Sequence, residues 1–235
     1  MHRSKLYRSQ SEKIESQQIY SLSDALTILK DMPHAKFNET VEISFNLGID
    51  PKQSDQNVRG AVTLPKGSGK KVTVAVIAAG DSAEAAKAAG ADEVGMEDLI
   101  EKIKGGWLEF DSLIATPAAM PKVRPLGKLL GPRGLMPNPK TGTVTDNVAD
   151  AVKEAKAGRV EFRADRGACA HVPVGKLSFT VEDLDINCMS VIKAIVAARP
   201  ASTKGAYIVS CAICSTMSPG IKVKVSDFTK PGGSK

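Results

Sequence analysis

Aromatic side chains are scarce in this chain: one Trp, three Tyr and six Phe, 4% of 235 residues. Proteins that hold single strands without sequence preference stack successive bases on aromatic platforms, and so few rings exclude a broad platform of that kind. Histidine is scarcer still. His2, His34 and His171 are widely separated, only His171 lies in a strand-like context, and no Ser or Cys sits in a recognisable nucleophile motif. No carboxylate pair is placed by spacing either, so no catalytic residue is expected and the chain reads as a non-enzyme. The four cysteines are Cys169, Cys188, Cys211 and Cys214. Cys211 and Cys214 form a CxxC, but YIVSCAIC reads as a strand, where an odd separation sends the two thiols to opposite faces. No second CxxC or nearby His pair completes a site, so no metal is expected and the thiols read as buried and reduced. No run of about 18 apolar residues occurs, which excludes a membrane-spanning helix. The polar N-terminus is unlike a secretory signal. MHRSKLYRSQ is basic and Ser-containing, as an organellar transit segment would be, while Glu12 and Glu15 argue against one.

Acidic residues are missing from two long stretches. None occurs from Ser112 to Thr145, nor from Ile186 to Ser226, and the second stretch carries Lys193, Arg199, Lys204, Lys222 and Lys224. With a net charge of +6 and a pI near 9.1, such positive-only stretches are the pattern of a phosphate-facing surface and favour a polyanionic partner. A hydrophobic content of 42% and a charged content of 25% are those of a globular chain long enough for one large domain or two ordinary ones.

Two phosphate-binding motifs fail on context. KGSGKK at Lys66–Lys71 precedes a strand instead of following one, and Lys71 stands where a P-loop needs Ser or Thr. AAGDSAEAAKAAG lacks the GxGxxG of a dinucleotide fold. No cofactor and no small-molecule substrate are expected.

Along the chain, Leu22, Ala25, Leu26 and Leu29 recur at helical spacing after a cap at Ser21 or Ser23. From Glu39 the period becomes two: Val41, Ile43, Phe45 and Leu47 alternate with polar residues, then Val62 and Leu64 do so again. After Lys66–Lys71 the pattern changes to the continuous apolar run VTVAVIAAG, an Ala-rich helix, the strand ADEVG, the helix MEDLIEKIKGG and the strand FDSLIATP. That alternation predicts parallel strands with crossover helices. The helix DNVADAVKEAKAG follows, after which VEFRAD and AHVPVGKLSF are expected to pair. Asp185–Ala198 is expected to form a helix, and YIVSCAICSTM with GIKVKV a closing hairpin. The predicted fold is a discontinuous α+β domain with an antiparallel sheet (residues 1–66 plus 158–235). A Rossmann-like three-layer α/β domain (67–157) interrupts it, with a hinge at the two crossings.

One stretch organises the whole. GKLLGPRGLMPNPKTGTV, Gly127–Val144, sets Gly127, Gly131, Gly134 and Gly142 among Pro132, Pro137 and Pro139. Neither helix nor strand is expected to run through it. Instead it reads as a shaped loop pinned by Leu129, Leu130, Leu135 and Met136 and presenting Lys128, Arg133 and Lys140 on a one-signed surface. This string resembles the signature of the bacterial "L-one" family of large-subunit ribosomal proteins. KFNETVEISFNLGIDPKQSDQNVRGAVTLP, AGRVEFRAD and the C-terminal STM extend the resemblance over nearly the whole chain.

The resemblance implies an RNA-binding face on the discontinuous domain. Matching positions are Lys36, Phe37, Glu39 and Thr40, then Arg163, Asp165 and Arg166, and finally Ser210, Thr216, Met217 and Ser218. Ser218 departs from the family's usual glycine. The implied role is structural, on the mobile stalk of the large subunit beside the tRNA exit. The implied partners are large-subunit rRNA, deacylated tRNA and the mRNA of the protein's own operon, which it would repress. The implied place is a cytoplasmic ribosome, with an organellar ribosome left open. An α/β nucleotide-dependent enzyme and a general nucleic-acid-binding protein are the alternatives.

Overall fold

A computed structural model describes residues 3–15 and 18–228; the side chains of Ser54, Lys140 and Asp227 lie outside the described set. The chain opens with helices α1 (Lys5–Glu12) and α2 (Leu22–Asp31), then strands β1 (Thr40–Leu47), β2 (Arg59–Thr63) and β3 (Val74–Ile77). Next come α3 (Asp81–Ala88), β4 (Glu93–Gly95), α4 (Glu97–Lys104), β5 (Ser112–Ala115), α5 (Met120–Val123), α6 (Gly127–Leu130) and α7 (Val148–Lys156). It closes with β6 (Arg159–Arg163), β7 (Cys169–Lys176), α8 (Val181–Ala197), β8 (Ile208–Ser215) and β9 (Ile221–Val223). Two compact units result, residues 1–69 with 160–235, and residues 70–159.

The discontinuous unit is built on an antiparallel sheet of order β7-β1-β8-β9, with β2 and β6 paired apart from it. In β1 the alternation sorts the side chains: Val41, Ile43, Phe45 and Leu47 are buried, while Thr40, Glu42, Ser44 and Asn46 take the other face. Cys211 and Ile213 of β8 and Val172 and Val174 of β7 join that core, and α2 and α8 contribute Leu26, Leu29, Leu184, Val191 and Ile195. Each such side chain stabilises the unit by roughly 1.5–3 kcal/mol on burial. The helices thus cover one face of the sheet. The polar face is left open, as antiparallel sheets permit. Cys211 is buried and Cys214 half-buried, its thiol donating to Glu42 Oε1 at 3.6 Å across the strand pair, so the CxxC does divide between the two faces.

Two expectations for this unit are corrected. VEFRAD and AHVPVGKLSF do not form a hairpin ladder: β6 pairs with β2, β7 pairs with β1, and only the bridge Ala164–Ala170 joins the two segments. Alternation marks a strand but does not name its partner. The long helix starts at Val181 instead of Asp185, because Thr180 caps it, its hydroxyl accepting from Asp183 N at 3.1 Å.

The inserted unit is a parallel sheet of order β4-β3-β5. All four residues of β3 are fully buried. Val74 and Val76 pack with α3 and α7, whereas Ala75 and Ile77 pack with α4 and the segment around Leu126 and Leu130. This is a three-layer α/β unit. The expectation that no helix enters Gly127–Val144 is corrected: α6 is one helical turn, with Gly127 at φ −56 and Gly131 at φ −59. Leu126 and Leu130, four residues apart and both buried, bring that turn onto the sheet. Beyond it the glycines behave as expected of a shaped loop. Gly142 has φ +66, and a Cβ there would collide with the Arg159 guanidinium.

Candidate nucleic-acid interface

The start of β1 and the ends of β7 and β8 meet at one corner of the four-stranded sheet, where Thr40 pairs with Lys176 and Val41 with Ser215. Thr40 N donates to Thr216 Oγ1 at 3.0 Å, and Lys176 Nζ donates to Thr40 Oγ1 at 2.7 Å. Residues Ser215–Ser218 close a turn, with Ser218 N donating to Ser215 O at 3.2 Å. Thr216 and Met217 at its tip are exposed. On the neighbouring loop Lys36 and Phe37 are exposed too, Phe37 by 53% and Met217 by 51%. Two large apolar side chains held in solvent beside hydroxyls and a lysine are poor candidates for core packing and good ones for contact with a partner.

Glu39 lies underneath. Its side chain is 0% exposed, so it reaches the surface only through the groups it holds. Oε1 accepts from Ala35 N at 2.8 Å and lies 3.7 Å from His34 Nδ1. Oε2 accepts from Met217 N at 3.2 Å and from the Ser215 hydroxyl. Burial works to raise its pKa, but the bonds from Ser215, Ala35 N and Met217 N, with His34 nearby, outweigh it and hold the carboxyl below its ordinary 4.5.

The other expected residues lie elsewhere on the unit. Arg163, Asp165 and Arg166 are exposed where β6 turns into β7, at the opposite end of the sheet. Asp165 Oδ1 accepts from Gly167 N and Cys169 N, both at 2.8 Å. The bond from Cys169 N, against a smaller effect of burial and with Gly167 N and His171 assisting, keeps its pKa low. Ile49, Pro51, Gln56 and Asn57 join these three residues around a cleft of about 400 Å³. Ser210 pairs with Asn46 at that same end. At about 3.3 Å per residue, Thr40 and Asn46 stand about 20 Å apart. The two groups are joined by the open polar face of the sheet: Glu42 and Ser44, His171 accepting or donating at 2.9 Å to Ser44, and Lys222 opposite Ala212. Sequence reasoning passed over Glu42, Ser44, Asn46 and Lys176 as residues of this face, and had Lys222 only as one cation of an acid-free stretch. The polar half of the β1 alternation was the available signal for the first three.

The acid-free stretches are not continuous surfaces. Lys193 and Arg199 lie on or just past α8, on the helical side, while Lys222 belongs to the open sheet face. In the inserted unit Lys122 pairs with Glu97 at 2.7 Å, so the expected one-signed surface is interrupted by an acid from outside the stretch. Lys128, Arg133 and Pro132 are exposed beside Gly131 and Gly134, whereas Pro137 is buried. The side chain of Lys140 lies outside the described residues.

Fold and interface together define a discontinuous α+β unit with an open polar sheet face, carrying an inserted parallel α/β unit. The chain belongs to the ribosomal protein L1p/L10e family, which matches residues 29–219. It is 54% identical over 219 residues to the large ribosomal subunit protein uL1 of Lactobacillus delbrueckii subsp. bulgaricus, covering 93% of this chain and 95% of that relative. It is 52% identical, with the same coverage, to the uL1 protein of Lactobacillus acidophilus. Ribosomal proteins of this family are structural, and the chain is accordingly not an enzyme. Among the described residues no helix is long and apolar enough to cross a membrane.

Proposed function

We propose that the chain is a structural component of the large ribosomal subunit that binds rRNA with its discontinuous unit. The observation that carries this reading is the corner where exposed Phe37 and Met217 flank Thr40, Thr216 and Lys176, continuous with an open polar sheet face. Hydroxyls, amides and cations on a shallow surface suit RNA recognised by shape, 2′-hydroxyls and phosphates. Lys36, Arg163, Arg166 and Ser210 supply further contacts, and Glu39, Asp165 and Ser218 shape the backbone around them. The relatives' description as large-subunit proteins supports rRNA as the ligand. By the same family resemblance the protein sits on the mobile stalk beside the tRNA exit of a cytoplasmic ribosome. There it assists release of deacylated tRNA, and it represses its own operon through an mRNA site resembling the rRNA one.

The test is a titration of the purified protein against large-subunit rRNA across salt concentrations, followed by footprinting. Log affinity should fall linearly with log salt, each phosphate contact contributing roughly −0.7 to −0.9 to the slope. A flat titration, or protection spread evenly along the rRNA, would remove the reading. For the finer roles, the operon mRNA leader should compete with rRNA for the same face, and deacylated tRNA should leave ribosomes lacking the protein more slowly.

A further inference from the structure

We infer that Glu39 is the positioning residue of the RNA-contacting corner: one buried carboxylate holds both segments that present its exposed apolar side chains. This rests on the RNA-binding reading. Oε1 accepts from Ala35 N and so closes the loop that carries Lys36 and Phe37. Oε2 accepts from Met217 N and the Ser215 hydroxyl and so fixes the turn that carries Thr216 and Met217. Three donors from two segments 180 residues apart in sequence, Ala35 to Ser215, converge on one group that solvent does not reach. Further bonds at the same place continue the tie, since Leu177 N donates to Glu39 O at 2.9 Å and Thr40 N to the Thr216 hydroxyl oxygen at 3.0 Å.

A buried carboxylate is a poor way to gain stability, because its desolvation offsets much of what its partners return. An apolar residue would fill the space but would leave two backbone N–H groups without acceptors and release both segments. What the carboxylate contributes is therefore placement. Phe37 lies two residues from Ala35 and two from Glu39, inside the loop that the Oε1 bond closes, and Met217 offers its own N–H to Oε2. The Oε1 and Oε2 bonds thus tie the loop of Phe37 to the turn of Met217 through one carboxyl group. Such a group acts on the ligand through others, as second-layer residues do around preorganised sites.

The experiment measures binding of the full chain to large-subunit rRNA of Lactobacillus delbrueckii, with poly(A)·poly(U) duplex as the non-specific competitor. It uses wild type, Glu39→Leu, Glu39→Gln, Met217→Ala, Arg166→Ala and the double variants Glu39→Leu/Met217→Ala and Glu39→Leu/Arg166→Ala. Glu39→Leu should weaken binding on the order of tenfold or more. Its salt slope should fall by at most roughly 0.7 to 0.9, the share of the single phosphate contact Lys36 can make, because the loop and turn that Glu39 holds carry no other cation. Glu39→Gln, which keeps one acceptor oxygen, should recover part of the loss. The loss should be less than additive with Met217→Ala and additive with Arg166→Ala, which lies at the other end of the sheet. A merely structural role would move the melting temperature while coupling to both partners alike or to neither. If Glu39→Leu does not fold, Glu39→Gln and Ser215→Ala carry the same cycle. Wild-type affinity in a folded Glu39 variant, or additivity with Met217→Ala, overturns the inference alone. Failure of wild type to bind rRNA above the poly(A)·poly(U) background overturns the RNA reading and the inference with it.

Discussion

Ser218 uses its hydroxyl inside the turn to which it belongs. The oxygen accepts from Ser215 N at 2.8 Å and donates to Pro219 O at 3.1 Å, and its φ does not fall in the left-handed region. The proline that follows biases it toward extended backbone, where a side chain meets no penalty. Serine is thus accommodated, and its hydroxyl stitches the turn shut where a glycine could not. Ser218→Gly is expected to lower stability by about 1 kcal/mol, with a slight loss of RNA affinity. Calorimetry and filter binding check this, and a rise in both quantities would show that the turn needs glycine. Glu39 gives a second residue-scale expectation. Its folded pKa lies below the ordinary 4.5, so its contribution is fully present above that value and is lost as pH falls through the depressed one. Asp165 and Asp183 of the same unit are shifted the same way, Asp165 by the bond from Cys169 N and Asp183 by the Thr180 hydroxyl and then Lys66. The melting temperature should be nearly level between about pH 7 and pH 5 and fall below about pH 4, and Glu39→Gln should make the fall shallower.

At the scale of elements, α8 shows what the sequence carried and what it hid. Its apolar positions were evident, but its first turn, Val181–Leu184, is announced by Thr180 and Asp183, a cap three residues ahead of an acid, and not by periodicity. Asn187 was not legible at all. It is fully buried at the centre of the helix, accepts from Lys66 N at 3.0 Å, and donates to Gly67 O at 3.0 Å and Val174 O at 2.8 Å. Two of the partners lie 121 and 120 residues away and the third 13, and no local pattern announces such bonds. Asn187 fixes the chain where it leaves β2, together with the ion pair of Lys66 and Asp183 at 3.0 Å. Asn187→Leu leaves one buried donor and two acceptors unpaired and should lower stability by about 3 kcal/mol or more, against a small effect for Ser190→Ala on the same helix. Urea denaturation monitored by circular dichroism separates the two, and equal midpoints would contradict the role given to Asn187. The strand partners were hidden for the same physical reason: β1, flanked by β7 and β8, joins residues more than a hundred positions apart.

At the scale of the molecule, the fold class was readable because the hydrophobic period changes from two to a continuous apolar run and back, which separates an antiparallel unit from a parallel one. The proposed contact residues come from family resemblance, since periodicity alone assigns Phe37 to a core and says nothing of the buried position of Glu39. The architecture also makes a prediction of independence. The core of the discontinuous unit draws its buried residues from Leu22–Leu64 and Phe162–Val223, with none from the inserted unit. Phe37, Thr40, Thr216 and Met217 belong to the same unit, as do the anchors Glu39 and Asn187. Replacing Lys70–Arg159 by a short Gly-Ser linker, with Gly69 and Val160 retained, should therefore leave a cooperatively folding protein. It should bind large-subunit rRNA within about tenfold of the full chain, a loss of at most about 1.4 kcal/mol. The lost contacts would be those of the Lys128 and Arg133 region, so the salt slope should shrink by roughly 0.7 to 0.9 for each phosphate contact removed, while selectivity over poly(A)·poly(U) duplex persists. A protein that folds but binds rRNA no better than poly(A)·poly(U) duplex would place the selective contacts in the inserted unit and overturn the assignment of the site to the sheet corner.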